Sequence, residues 1–374
     1  MLIGIFLLVF LGGGVLYYRQ NPAWKNKPSD ERLKKIQDSP HYIAGKFQSP
    51  VPVQTMAGGS SGRALRKFLF ESSPRRVPRE PLPVMKTDLK NLSLADDLVI
   101  WLGHSSFYLQ LDGRRILIDP VLSSYAAPFS FLNKAFAASY IYTAEDMPPI
   151  DLLVVSHDHW DHLDYPTVTA LRKQVKAVVC PLGVGQYFEQ WGYSSERVKE
   201  ADWFSEVSIG NDFSVHVLPT QHFSGRMLKR NQTLWGAFAF VTPERRVFYS
   251  GDGGYGPHFK EIGRRFNGFD LAIMENGQYN SDWANIHMMP EESSQAAVDL
   301  GARTVLPAHS GKFALSFHDW DEPYKRIVEV SRGKPYELLT PEMGAVVRPF
   351  DKSQDFSAWW EMESLAGEVV KDIS

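Results

Sequence analysis

Residues 156–164 read Ser-His-Asp-His-Trp-Asp-His-Leu-Asp, and four of these residues look like metal ligands. The four candidate ligands are His157, His159, Asp161 and His162. The apolar, β-branched run 152–156 predicts a buried strand, so the candidates lie where a strand ends and the chain turns. At extended spacing the first two histidines point to one side and can share a cation. The other two follow as the chain bends toward a predicted helix, Tyr165–Val175, and can face a second cation.

A single histidine at a strand edge is usually structural, but the four candidates, three histidines and one aspartate, lie within six residues. Packed together without a cation, these side chains would crowd and repel each other on protonation. The pattern therefore predicts a metal site. Imidazole nitrogen and carboxylate oxygen suit zinc, and also manganese or iron.

Three further candidate ligands stand in the same local setting. His222 follows the predicted strand 213–219, Asp252 follows 246–249, and His309 follows 304–307. Strand ends gathered at one edge of a sheet can converge on one pocket. The glycines around Asp252 let the backbone turn sharply, and they lack the Gly-Lys-Ser/Thr ending of a phosphate loop.

The chain of 374 residues has an ordinary globular composition, a net charge of −3 and a single cysteine. The charge gives no support for nucleic-acid binding, and one cysteine excludes an intrachain disulfide. Residues 123–149 form a long insertion rich in aromatic side chains. Loops of this length are usually functional or disordered, and the aromatics favour a flap beside the site or simple packing on the body.

The first 18 residues carry no charged side chain, and at about 1.5 Å per residue they are just long enough to cross a bilayer core. A cleaved signal peptide is the alternative, but no basic residue precedes the apolar run. Because Arg19, Lys25 and Lys27 follow it, the positive-inside rule places the body of the protein in the cytoplasm. The Pro- and Ser-rich region after it carries a basic stretch that serves solubility or attracts anionic lipid headgroups. That stretch comprises Arg63, Arg66, Lys67, Arg75, Arg76 and Arg79.

Beyond the ligand motif, several blocks resemble the metallo-β-lactamase superfamily, in particular the branch of N-acyl phosphatidylethanolamine-hydrolysing phospholipase D and the ascorbate-phosphate lactonases. The ligand motif alone specifies the superfamily, whereas the blocks are specific to the branch. They include Trp101-Leu102-Gly103-His104, Asp119-Pro120, Pro219-x-Gln221-His222, Gly251-Asp252-x-Gly254-Tyr255, His287-x-x-Pro290-Glu291-Glu292 and His309-x-Gly311-x-Phe313. The chain departs from the phospholipase at Ser310, Lys312 and Met274-Glu275-Asn276.

The resemblance implies an α/β fold, a four-layer αβ/βα sandwich with two metals at one sheet edge. By position, one metal is held by His157, His159 and His222. The other is held by Asp161, His162 and His309. Asp252 bridges the two, and Asp119 or Asp164 orients a ligand histidine unless it serves as a turn or helix cap. His287 is assigned to substrate contact or leaving-group protonation, and His104 to the pocket; the alternatives are a residue at the start of a helix and a buried turn histidine.

The implied domain organisation is an anchor (1–18), a linker and extended basic arm (19–95), a hydrolase domain (96–350) and a C-terminal tail (351–374). The implied activity is that of a membrane-anchored phosphodiesterase acting on a phospholipid such as N-acyl phosphatidylethanolamine by attack of a hydroxide shared by two zinc ions. Two alternatives remain. The same site could hydrolyse a lactone, a β-lactam or another ester, or the chain could be a non-catalytic, metal-binding membrane scaffold.

Overall fold

The computed structural model describes residues 21–24, 27–49, 73–210, 212–226, 229–351 and 354–361. Two seven-stranded sheets dominate it. In spatial order the first sheet comprises Val346–Val347, Leu98–Gly103, Ser106–Leu111, Arg114–Ile118, Ile150–Val154, Val175–Pro181 and Val198–Ala201. The second comprises Glu337–Leu338, Ala302–Ala308, Phe269–Glu275, Arg246–Tyr249, Ala237–Val241, Phe213–Leu218 and Ser205–Gly210.

Each sheet combines an antiparallel part with a parallel part. In the first sheet, Arg114–Ile118, Ile150–Val154 and Val175–Pro181 run parallel. In the second, Arg246–Tyr249, Phe269–Glu275 and Ala302–Ala308 do so. Parallel strands end at the same edge of their sheet, so the loops that follow them lie side by side. This edge carries the candidate ligands.

The alternation of side chains along the strands separates the layers. Along Leu98–Gly103, Val99 and Trp101 join the core between the two sheets, whereas Ile100 and Leu102 join a second core on the outer face. The second sheet likewise buries Leu271 between the sheets and Ala272 against its outer helices. Successive side chains of a strand point to opposite faces of the sheet, so a sheet that is covered on both faces needs apolar residues at successive positions. The order helix, sheet, sheet, helix is the predicted αβ/βα sandwich.

Tyr165–Leu171 and Gly185–Gln190 pack on the outer face of the first sheet, and His258–Phe266 and Pro290–Asp299 on that of the second. Asp30–Gln37 lies in the N-terminal arm, and Glu322–Val330 packs against Pro290–Asp299. The helix predicted over Tyr165–Val175 was too long at its C-terminus. It ends at Leu171, and Val175 instead begins a strand by pairing with Ile150. Pairing in the sheet therefore outweighs helical continuation at this position.

The described part of the N-terminal arm lies on the body of the protein. Its helix Asp30–Gln37 is fastened by Arg32, which is 7% exposed and pairs with both Glu189 and Glu200. Arg75, from the predicted basic stretch, pairs with Asp321 at 2.5 Å. The predicted anchor at 1–18 lies outside the described residues; within them, no helix has the length and apolarity needed to span a bilayer.

Candidate metal centre

Four loops at one edge of the sandwich bring the candidate ligands together. The segment 157–162 follows Ile150–Val154, and the other loops supply His222, Asp252 and His309. Close packing of the loops depends on Gly253, where an added Cβ would lie only 1.8 Å from the hydroxyl oxygen of Thr220. A residue larger than glycine would therefore displace the loop that carries Asp252.

The first group of ligand atoms belongs to His157, His159, His222 and Asp252, and these atoms lie within 4.8 Å of one another. The Nε2 atom of His157 lies 2.9 Å from Nδ1 of His159, which lies 3.2 Å from Nε2 of His222. Three imidazoles and one carboxylate on a single centre match the ligand types that zinc takes in proteins.

The second group consists of His104, Asp161, His162 and His309, with the same 4.8 Å limit. Asp252 lies between the two groups. Its Oδ2 is 3.1 Å from Nε2 of His162 and 3.7 Å from Nε2 of His157, and its Oδ1 is 3.2 Å from Nδ1 of His309. One carboxylate therefore faces ligands of both groups, as a bridging residue must.

Burial sets the protonation of most of these histidines. It lowers the pKa of His157, His222 and His309 well below the ordinary value and that of His159 to about 4. These imidazoles are therefore neutral at pH 7, which is the form that binds metal ions. Burial also raises the pKa of Asp252 to about 7, although the facing His162 opposes this shift.

His162 is the exception, because its pKa is raised rather than lowered. Burial alone would lower its pKa, but the facing carboxylates of Asp252, Asp161 and Asp119 raise it well above the ordinary value. The centre thus attracts positive charge to its middle. Among the described residues, Nε2 of His162 and Oδ1 of Asp252 are buried, and none of their neighbours is oriented to form a hydrogen bond with them. Both features fit a site built for divalent cations.

Asp119 supports the centre from behind, whereas Asp164 does not contact it. The Oδ2 atom of Asp119 lies 2.6 Å from Nδ1 of His162 and accepts a hydrogen bond from the hydroxyl of Tyr249 at 2.6 Å. Asp164 instead caps the helix Tyr165–Leu171 by accepting from the backbone N–H of Thr167. From the sequence alone, either residue could orient a ligand histidine or cap a turn or helix. Sequence reasoning missed Tyr249, whose only signal is a polar tip at the end of a buried strand.

His104 and His287 both pack against the ring of His309. His104 is fully buried, and its Nε2 lies 3.0 Å from Oδ2 of Asp161. His287 faces the cleft, and its Nδ1 contacts the buried carboxylate of Glu275. Sequence reasoning noted Glu275 only as a departure from the phospholipase pattern. No sequence signal links it to His287, because their contact depends on where a strand ends and a later loop returns.

A cleft of about 280 Å³ opens over the centre. Its walls combine ligand residues with apolar side chains and one arginine at the edge, whose guanidinium carbon lies 4.8 Å from the ring centre of Phe223. The non-ligand lining comprises Phe223, Arg230, Gln278, Trp283, Ile286, His287 and Leu315. Among the described residues lining this cleft, none comes from the insertion 123–149, which packs onto the body through Ala126 and Phe136.

Comparison with known proteins identifies relatives of this arrangement. The family profile described as Beta-lactamase superfamily domain matches residues 114–310. The uncharacterised protein Rv0906 of Mycobacterium tuberculosis is 34% identical over 87% of this chain and 88% of its own length. N-acyl-phosphatidylethanolamine-hydrolyzing phospholipase D 1 of Caenorhabditis elegans is 30% identical over 77% of this chain and 86% of its own.

Among solved structures, the isothiocyanate hydrolase from Delia radicum gut bacteria superposes with a TM-score of 0.55 at 18% identity. The match covers 70% of this chain and 100% of the other. At this identity the likeness shows a shared fold. The fold, the family profile and the sequence relatives agree with one another.

Proposed function

This chain belongs to the metallo-β-lactamase superfamily as a metal-dependent hydrolase, and from that premise we propose that it is a binuclear phosphodiesterase acting on a phospholipid. The observation that carries the proposal is the position of Asp252, which faces ligands of two groups beneath an open cleft. A phospholipid such as N-acyl phosphatidylethanolamine is favoured because a relative at 30% identity is named for its hydrolysis.

In this proposal His157, His159 and His222 hold one metal ion. Asp161, His162 and His309 would hold the other, and Asp252 lies between the two ligand groups. Two divalent ions, taken as zinc with manganese or iron as alternatives, would supply a water of lowered pKa and would polarise a phosphoryl oxygen. The protein itself needs no nucleophilic side chain for this chemistry.

The remaining cleft residues have distinct proposed tasks. Phe223, Trp283 and Leu315 offer apolar surface to the hydrocarbon part of a lipid, and Arg230 offers a cation to its phosphate. His287 contacts the leaving group. His104 acts indirectly, because its contact with Asp161 fixes the orientation of that carboxylate.

Membrane association is a separate part of the proposal. The uncharged apolar segment 1–18 supports an anchor, and the basic residues after it support a cytoplasmic position for the hydrolase domain at 96–350. The arm at 19–95 and the tail at 351–374 then flank that domain. The ion pair between Arg75 and Asp321 gives this part of the basic stretch a partner on the body.

The experiment that tests the activity presents the full chain, loaded with zinc, with vesicles containing N-acyl phosphatidylethanolamine, and in parallel with a lactone and a β-lactam. We expect phosphatidic acid as the lipid product and slower turnover of the two carbonyl substrates. Faster hydrolysis of the lactone or β-lactam than of the phosphodiester would overturn the proposed substrate class. Metal binding without any turnover would favour a scaffold.

A further inference from the structure

Glu275 is a fully buried carboxylate at the end of the strand Phe269–Glu275, next to the metal centre. One carboxylate oxygen, Oε2, accepts a hydrogen bond from the backbone N–H of Gly253 at 2.7 Å. The other, Oε1, contacts Nδ1 of His287. The main chain of Glu275 is held too, because its carbonyl accepts from the hydroxyl of Ser293 at 2.7 Å. Its carboxylate therefore has one fixed orientation.

The contact between Glu275 and His287 determines which ring nitrogen of His287 faces the cleft. The ring stacks on His309 with centroids 5.3 Å apart and an interplanar angle of 11°, and it meets His222 edge-on at 5.1 Å. With Nδ1 engaged by Glu275, the nitrogen on the other side of the ring, Nε2, is left for the cleft. The side chain of His287 is 14% exposed, so a substrate can reach it.

We propose that Glu275 is the positioning residue that holds His287 with Nε2 directed at the leaving-group oxygen of the phosphodiester. This inference rests on the proposed phosphodiesterase activity. During hydrolysis the bond between phosphorus and the alcohol oxygen breaks and its electron pair stays on that oxygen. His287 enters this step as an imidazolium, with one proton on Nδ1 held by the Glu275 carboxylate and one on Nε2, and the Nε2 proton passes to the leaving oxygen. Water supplies the new oxygen on phosphorus, and one of its protons returns to Nε2 of His287.

A competing role for Glu275 is that of a metal ligand, because it lies near Asp252, His287 and His309 in a third group of potential ligand atoms. The hydrogen bonds favour positioning. Since Oε2 accepts from Gly253 and Oε1 faces His287, each oxygen already has a partner. The bond to Gly253 also ties the carboxylate to the loop that carries Asp252, which keeps His287 in register with the metal centre.

The test compares two phosphodiesters that share one phosphoryl group and differ in the leaving group. Nitrophenol departs without protonation, whereas a simple alkyl alcohol requires a hydrogen as it leaves. In the zinc-loaded full chain we expect Glu275→Met to lower kcat on the alkyl diester by about tenfold to a hundredfold, part of the ~10²–10⁴-fold typical of such assistance. The nitrophenyl diester should lose less than about threefold on the same scale.

Matched variants separate positioning from general damage. Ser293→Ala removes the hydrogen bond to the Glu275 carbonyl without touching its carboxylate, so it should not distinguish the two diesters. Glu275→Gln keeps a polar partner for Nδ1 of His287 and should recover part of the alkyl-diester rate. In a background of His287→Gln, Glu275→Met should cause no further selective loss, because the residue that it positions is gone.

Equal loss on both diesters, or loss of bound metal in Glu275→Met, would overturn the inference while leaving the proposed function intact. If the wild-type chain binds metal but hydrolyses neither diester, the proposed function fails and the inference with it. Should Glu275→Met fail to fold, proton NMR of the wild-type chain gives a second test. A strongly deshielded Nδ1–H signal, absent in His287→Gln, is expected, and its absence from the wild type would contradict the contact.

Discussion

Replacing Asp119 with asparagine should weaken metal binding through His162 while leaving the fold in place. The carboxylate accepts from the backbone N–H of Ser156 at 2.7 Å, from the Ser156 hydroxyl at 2.5 Å and from the Tyr249 hydroxyl at 2.6 Å, and it faces Nδ1 of His162 at 2.6 Å. An asparagine oxygen can still accept from the Ser156 N–H. Hydroxyl groups can rotate to accept from the new NH₂ group.

The contact with Nδ1 of His162 is the one that asparagine cannot replace. To offer Nε2 to a metal, the neutral imidazole must carry its hydrogen on Nδ1, and the NH₂ group of Asn would oppose it donor to donor. A hydrogen bond to a charged group is worth about 1.5–3 kcal/mol. At about 1.4 kcal/mol per factor of ten, the loss corresponds to a roughly 10–100-fold weaker site. Outer partners of metal-bound histidines typically show the same range, about 10–100-fold.

The assay is competition for zinc between the protein and a chelator, with near-UV circular dichroism to verify folding. Asp164→Asn is the matched control, because Asp164 is buried nearby but serves as a helix cap, and asparagine caps helices equally well. We expect its zinc affinity to stay within about twofold of wild type. Equal affinities for wild type and Asp119→Asn would refute the reasoning, as would equal losses in both variants.

Three further predictions concern stability and substrate recognition. Burial lowers the pKa of Lys312 to about 8, so relative to an unfolded value of about 10.4 its charge costs about 3 kcal/mol at pH 7, and this cost fades as pH rises from 8 to 10.4. Lys312→Met should therefore raise Tm at pH 7 and gain less at pH 10; an equal gain at both would contradict the argument. Arg32→Ala should cost about 3–5 kcal/mol in denaturant unfolding, because it leaves Glu200 buried without its ion pair, and a loss below about 1 kcal/mol would show that the pair is dispensable. Arg230→Gln should raise KM for anionic diesters about tenfold, as the loss of a charged hydrogen bond would. The control is Arg245→Gln, which removes a guanidinium that also lies over a phenylalanine ring but away from the cleft, and which should leave KM unchanged. Equal KM values for the two variants would exclude Arg230 from substrate binding.

The candidate ligands could be located from the sequence because each of them follows an apolar strand. Local pattern determines where such a strand ends, and parallel strands end at a common edge. The structure brings His157 together with His222, and His162 together with His309. These features depend on short-range pattern plus a shared topology.

Other features depend on contacts that no local pattern encodes. The helix after His162 ends at Leu171 because Val175 pairs with Ile150 in the sheet. The partnership of Glu275 with His287 joins a strand end to a later loop. The distinction between Asp119 and Asp164 likewise arises only when the strand ends are assembled. Tertiary packing decided each of these outcomes.

The most direct test of the central claim is the metal content of the purified full chain and of its Asp252→Ala variant, measured alongside phosphodiester turnover. Asp252 faces both ligand groups, at 3.1 Å from His162 and 3.2 Å from His309. We predict two zinc ions per wild-type chain, fewer in the variant, and loss of turnover with them. A wild-type chain that binds no metal, or a variant that keeps both metals and full activity, would contradict the binuclear centre.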